Sequence, residues 1–444
     1  MQTTIRLAAL AALVALTACE KDDLILPGQR EGLREVLGQQ PEQVPPMSAE
    51  AIGPRAAGLA PAQRNGAWLQ SHVTPTTRVA HPMLSVQPTQ IWAANIGQGD
   101  KRRARLIADP VASNGRIFTM DSAATVTATA TNGETLWQAD LTPVRDRSDD
   151  TAGGGLAIGD GKLFVTSAFG TVTALDPATG QQIWQQDLGA TGTGAPAYYD
   201  GLVYLVAGDT TAWAIEAKDG RVRWQIDGVA DVHNVAGGAS PAITDQRVYF
   251  SFGSADVQAA FRRGGLTLWT SSLAGERTGR ALSVVDDITG DPVVVGDVVY
   301  AGNFAGRSAA FDAANGERIW TANHGAAGPA WPAGDSIYMV TDLNELVRMD
   351  AKTGATLWST DLPGYVPKRR PHARRETSYT NLGPIVAGGR VVVASSDGLI
   401  RLFDPETGAL TASVPIAGGA TTAPIVVDGT LYVVSSKGVL HAFR

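Results

Sequence analysis

Apolar positions in this chain fall in short runs bounded by glycine, aspartate or other turn-forming residues. Lys162-Leu163-Phe164-Val165-Thr166-Ser167, Leu202-Val203-Tyr204-Leu205-Val206 and Leu431-Tyr432-Val433-Val434-Ser435 are rich in β-branched and aromatic side chains. Such runs predict strands. Upstream of each stands a shorter run, such as Ala423-Pro424-Ile425-Val426-Val427, closed by an Asp-Gly or Gly-Asp turn. Downstream come a third strand and a fourth that contains tryptophan. The unit is therefore four short strands: inner, second, third and outer.

The unit repeats. Tryptophan recurs at Trp92, Trp137, Trp184, Trp224, Trp269, Trp320 and Trp358. A spacing of about 45 residues with strand signals points to β-propeller blades rather than a helical solenoid. The clearest copy reads Ala174-Leu175-Asp176-Pro177-Ala178-Thr179-Gly180-Gln181-Gln182-Ile183-Trp184. Glycine precedes the tryptophan position by four at Gly133, Gly180, Gly220, Gly265, Gly316, Gly354 and Gly408. An acid precedes it by eight at Asp176, Glu216, Asp312, Asp350 and Asp404, while Thr129 and Phe261 break that rule and Ala412 replaces a tryptophan. The glycine supplies the positive φ of a hairpin turn. The acid accepts bonds from turn amides. The tryptophan then packs between neighbouring blades.

Counting units fixes the expected fold. Gly438 to Arg444 reads as a third strand with no outer strand after it, and Thr89 to Ile96 reads as an outer strand with no partners before it. The two halves complete one blade. The expectation is an all-β, eight-bladed β-propeller of four-stranded antiparallel blades, its last blade closed by the N-terminal outer strand. Closure removes exposed strand edges. Seven blades is the alternative count.

Composition narrows the function. Apolar residues make up 44% and charged residues 18%, an ordinary balance for a soluble globular chain. A net charge of −7 provides no global basic field for nucleic acid. The lone cysteine, Cys19, rules out an internal disulfide and a cysteine-rich metal site.

Residues 1–18 predict a signal peptide, with Arg6 ahead of an apolar run from Leu7 to Leu16 that is too short to span a bilayer. Leu16-Thr17-Ala18-Cys19 resembles the bacterial lipobox, which implies cleavage before Cys19 and lipidation of its thiol. Glu20, where the inner-membrane retention signal carries aspartate, favours the outer membrane. An ordinary signal peptide with an incidental cysteine is the alternative. Residues 19–88 read as an extended tether interrupted by Pro27, Pro41, Pro45, Pro46, Pro54 and Pro61. Within it, Asn65 to Ser85 carries Trp68, His72 and His81 and is a stretch that can lie against the propeller, with the histidines read as surface groups.

The Ala-x-Asp-x-x-x-Gly-x-x-x-Trp pattern over residues 89–444, with the lipobox ahead of it, resembles the BamB family of outer membrane lipoproteins. The blade motif is shared with pyrroloquinoline quinone (PQQ) dehydrogenases, so it specifies fold before function. The resemblance implies a non-catalytic scaffold without cofactor, a monomer within a complex that inserts β-barrels. It implies docking on the POTRA domains of the BamA-like barrel-inserting subunit and proximity to nascent outer membrane proteins. Two adjacent loops carry that docking. Here they are Asp231 to Ser240, with His233, Asn234, Val235 and Ala236, and Leu282 to Pro292, with Asp286, Asp287 and Thr289. A solvated turn is the plainer reading of the two aspartates.

A PQQ-dependent dehydrogenase is the rival class. It needs calcium, a catalytic aspartate and usually paired cysteines, and the cysteines are missing. No GxSxG, HExxH or P-loop motif occurs. Gly153-Gly154-Gly155 reads as a bend before an inner strand. Two basic clusters, Lys101-Arg102-Arg103 with Arg105 and Lys368 to Arg375, read as solvated loops or as contacts for an acidic partner.

Overall fold

The computed structural model describes residues 55–71, 81–101, 104–147, 153–192, 194–208, 210–229, 239–273, 275, 288, 290–370 and 377–444. Eight antiparallel sheets of four strands follow one another along the chain. Blade 1 runs from Val111–Ser113 to Thr135–Asp140, blade 2 from Gly154–Gly159 to Gln182–Asp187, and blade 3 from Ala197–Tyr199 to Val222–Asp227. Blades 4 and 5 start at Ala242–Ile243 and Gly290–Val295. Blades 6 and 7 start at Trp331–Ala333 and Asn381–Ala387. Blade 8 holds Ile425–Val427, Thr430–Ser435 and Val439–Phe443, and its outer strand is Gln90–Asn95 from the other end of the chain. Gln90 faces Phe443 and Trp92 faces Ala442, so the ring is sealed as the sequence predicts.

The repeat motif does more than turn the chain. Each tryptophan indole N–H reaches into the next blade and donates to a carbonyl of its third-to-outer turn. Trp137 Nε1 meets the Pro177 carbonyl at 3.2 Å, Trp184 that of Ala217 at 3.0 Å, and Trp320 that of Ala351 at 3.0 Å. The motif glycine of the receiving blade lies beneath the same ring. A Cβ built on Gly220 would stand 2.7 Å from Trp184 Cε3, and Gly220 also has φ +77°. Glycine is thus required twice, by the backbone and by the indole above it. The motif acid holds the turn: Asp176 Oδ1 accepts from the Ala178 amide at 2.6 Å, and Asp404 Oδ1 from the Thr407 amide at 2.9 Å.

This account also explains Ala412. In blade 8 the third and outer strands come from opposite ends of the chain, so no third-to-outer turn exists to receive an indole. A cleft lined by Ala412, Val414, Pro415 and Gln87 to Gln90 lies there instead.

The segment read as a tether carries more structure than its composition suggests. Residues 55–71 and 81–88 pack on the ring. Arg55 pairs with Asp350 at 2.8 Å and Asp335 at 3.1 Å in blade 6. The buried Arg348 guanidinium donates to the Arg55 and Ala56 carbonyls at 2.6 and 2.8 Å. Trp68, only 3% exposed, exchanges backbone hydrogen bonds with Ala112 in blade 1, both at 2.7 Å, and stacks on Trp331 of blade 6 at 6.0 Å. The Leu69 carbonyl accepts from Ile158 of blade 2 at 2.6 Å, and Gln70 Oε1 from the Tyr198 amide of blade 3 at 2.7 Å. Ser71 reaches Asp291 of blade 5. Only the propeller axis lies within reach of the inner strands of all these blades, so Trp68 to Ser71 occupy it. The reading of His81 as a surface group is corrected. It is 7% exposed, its Nδ1 bonds the Ala60 carbonyl, and its Nε2 accepts the Gly389 amide at 2.8 Å. A ring nitrogen on each side holds it between the segment and blade 7. His72 lies outside the described residues.

Candidate functional site

Every sequence-predicted binding residue, Asn234, Val235, Ala236, Asp286, Asp287 and Thr289, lies outside the described residues, as do His233 and Cys19. The structure does describe where the two loops are rooted. The first leaves the outer strand Val222–Asp227 of blade 3 and re-enters at Ser240, before the inner strand Ala242–Ile243 of blade 4. The second leaves Thr267–Ser272 and re-enters through the buried Ile288 and Gly290 at the start of blade 5. The two roots are therefore neighbours at the face where inner strands begin.

Asp291 joins them. Its Oδ1 accepts the Ser240 amide at 2.9 Å, and its Oδ2 accepts the Ser71 hydroxyl at 3.3 Å. One carboxylate therefore ties the base of the first loop, the base of the second and the axial segment together. Burial pushes the Asp291 carboxyl up to about 7, against the lowering effect of the Ser240 amide, and the charge of Asp109 adds to the rise. Asp109 repeats the device at the seam between blades 8 and 1. Its Oδ1 accepts the Ala423 amide at 2.7 Å, and burial raises it to about 7 as well. In both places an Asp-Pro pair at the start of one inner strand catches the amide of a residue that precedes proline in the blade before it: Asp291-Pro292 with Ser240-Pro241, and Asp109-Pro110 with Ala423-Pro424. Asp-Pro also occurs at Asp176-Pro177 and Asp404-Pro405 in third-to-outer turns, so the dipeptide signals this contact only where it opens an inner strand.

The other sequence features resolve into local structure. Gly154 and Gly155 permit close approach, since a Cβ on Gly155 would stand 2.3 Å from Ala195 Cα and one on Gly154 2.3 Å from the Thr166 carbonyl oxygen. In the first basic cluster, Lys101 bonds Gln98 and Arg105 pairs with Asp100 at 3.5 Å. Arg102 and Arg103 lie outside the described residues, as does Pro371 to Arg375 of the second cluster. Lys368 Nζ donates to Thr377 Oγ1 at 3.1 Å. Among the described residues no group of three or more His, Cys, Asp or Glu side chains is placed to hold a metal ion.

The ring of tryptophan-docked blades, with loops rooted at one face and a peptide segment along its axis, defines a PQQ-like repeat propeller. Comparison with known proteins takes this further. The family model described as "Outer membrane protein assembly factor BamB" matches residues 122–360 and 365–444, and the chain belongs to that family. The assembly factor BamB of Yersinia pestis is 23% identical over 363 residues, covering 80% of this chain and 88% of its own. That of Burkholderia pseudomallei is 25% identical over 376 residues, covering 84% and 91%. Among solved structures, BamB from Moraxella catarrhalis superposes with a TM-score of 0.66 at 18% identity, over 80% of this chain and 99% of that one. A quinohemoprotein alcohol dehydrogenase from Comamonas testosteroni superposes with the same TM-score at 17% identity, over 86% and 81%. At these identities the structural likenesses establish the fold, and both functional classes weighed from sequence share it.

Proposed function

We propose that this chain is a non-catalytic scaffold of the outer membrane β-barrel assembly machinery. It is anchored by lipid at Cys19 and faces the periplasm. Its loops 231–240 and 282–292 dock on the POTRA domains of the barrel-inserting subunit, near nascent outer membrane proteins. Family membership supplies the role in assembly. The observation that carries the docking is the shared root of the two loops, since a binding surface made of two loops needs their bases held at one spacing, and Asp291 bonds both. The occupied axis favours a scaffold over a quinoprotein, because Trp68 to Ser71 fill the space along the inner strands.

The test is recovery of the barrel-inserting subunit from detergent-solubilised membranes. Replacing Asp286 and Asp287 together by alanine should reduce recovery about tenfold, the scale of ~1.4 kcal/mol. Full recovery would remove the acidic pair from the interface. Cys19→Ala should move the protein from the membrane to the soluble fraction, and a membrane-bound variant would refute the anchor.

A further inference from the structure

A cavity of about 280 Å³ opens between blades 8 and 1, and the N-terminal segment contributes Arg64 and Gly66 to its lining. Three arginines from distant parts of the chain line it: Arg64, Arg116 and Arg444. Arg64 Nε donates to Asp428 Oδ1 at 2.7 Å. Arg444 donates to Thr430 Oγ1 at 3.1 Å and to the Asp428 carbonyl at 3.3 Å. The Arg116 Nε is buried and has no hydrogen-bond partner among the described residues. Arg64 and Arg444 are exposed and their remaining donors meet solvent, so Arg116 Nε is the buried donor at this site left to a ligand.

We propose that this cavity is a binding site for a phosphate ester. The lining holds three arginines and one carboxylate side chain, Asp428, and the Arg444 carbonyl oxygen accepts the Thr89 amide at 2.8 Å. A surplus positive charge remains. Arginine matches the planar arrays of oxygen on phosphate and carboxylate. A phosphate monoester offers three terminal oxygens, one for each guanidinium, where a carboxylate offers two. The volume is that of about nine waters, enough for the phosphate and a short alcohol such as glycerol. Ile91 and Tyr432 in the lining provide contact for the carbon part.

The location bears on the source of the ester. Asp428 lies in the inner-to-second turn of blade 8, and Asp335, which binds Arg55, lies in the same turn of blade 6. The cavity therefore opens on the same face as the Arg55–Asp335 pair, opposite the loop roots at Ser240 and Asp291. A lipid headgroup and a soluble phosphate ester share the required chemistry. Because Arg64 belongs to the axial segment, the site is complete only when that segment is docked.

The test uses the full-length lipoprotein in uncharged detergent at low salt, titrated with glycerol 3-phosphate and read by calorimetry. Saturable binding is expected. Arg116→Ala should weaken it at least tenfold, Arg116→Lys should weaken it less, and Arg145→Ala, at an exposed position elsewhere, should leave it unchanged. Absence of saturable binding, or equal affinity in Arg116→Ala, overturns the proposal. The Arg116 backbone pairs with Ser113 and Ala130 whatever its side chain, and a melting curve confirms that the variant is folded. Displacement of the ester by micelles doped with phosphatidylglycerol identifies a lipid headgroup as the ligand. Retention of the ester identifies a soluble one, and in both cases the site stands.

Discussion

The ring and the segment along its axis are held by different kinds of interaction. In the ring one contact is repeated: an indole N–H on a turn carbonyl over a glycine, at seam after seam. In the described residues of the segment the contacts are of several kinds. Arg55 uses ion pairs, Trp68 uses backbone bonds and stacking, Gln70 uses its amide, and His81 uses both ring nitrogens. Repetition lets stability accumulate from small equal terms. The segment depends instead on a few individual side chains, and each is a point at which it can be released without opening the ring.

The largest effect should come from the repeated contact. Gly220→Ala forces a Cβ against Trp184 at a left-handed backbone angle. It should cost at least ~2 kcal/mol, since overpacking and positive φ act together. Urea unfolding followed by tryptophan fluorescence measures it, and a loss below ~0.5 kcal/mol would mean that the indole and the turn are not coupled. A smaller global effect is expected from Trp68→Ala. Here ~3 kcal/mol of packing between the segment and the inner strands is lost, and the repeated seam contacts remain. Proteolysis between residues 55 and 88 should accelerate while the ring's unfolding midpoint stays nearly constant. A drop in that midpoint as large as that of Gly220→Ala would make the segment part of the ring's own core.

The smallest effect concerns the junction of the two regions at Asp291. Its carboxyl titrates near 7 in the folded chain because burial disfavours the charge. The unfolded chain gives up this proton near pH 4. The folded state therefore holds the proton more tightly, and stability falls as pH rises from about 4 to 7. Asp291→Asn keeps an acceptor for the Ser240 amide and removes the charge. Its Tm should exceed that of the parent by roughly 2 °C at pH 8 and match it near pH 4. Equal Tm values at both pH values would show that the carboxylate is well solvated.

The two regions also differ in how far the sequence exposes them. Blade number, strand order and the closure of Gln90–Asn95 on Val439–Phe443 were readable because tryptophan, glycine and acid recur at fixed spacing, and one missing outer strand matched one spare. The indole-to-carbonyl bond was not, since it links residues in different blades and spacing within a motif carries no trace of it. Trp68 and His81 stand in a proline-interrupted stretch without period, where burial depends on shape supplied by other blades. The roles of Asp291 and Asp109 are hidden in the sequence for a related reason. Each is one acid before a proline, and its partner amide lies in the preceding blade, 51 residues away for Ser240 and 314 away for Ala423. The loop residues expected to meet a partner rest on family resemblance, and they lie outside the described residues.

The shared blade has a consequence for how the molecule comes into being. Thr89 and Arg444 are bonded to each other although 355 positions separate them in the chain. Seven blades can assemble in order as the chain emerges, but the toroid cannot shut until its last residues are available to receive the strand made near the start. Pairing across so long a separation is slow. Until it happens, Gln90–Asn95 is an unpaired edge waiting for its mate. Loss of only the final five or six residues should therefore leave a folded but open molecule that associates edge to edge with its own copies.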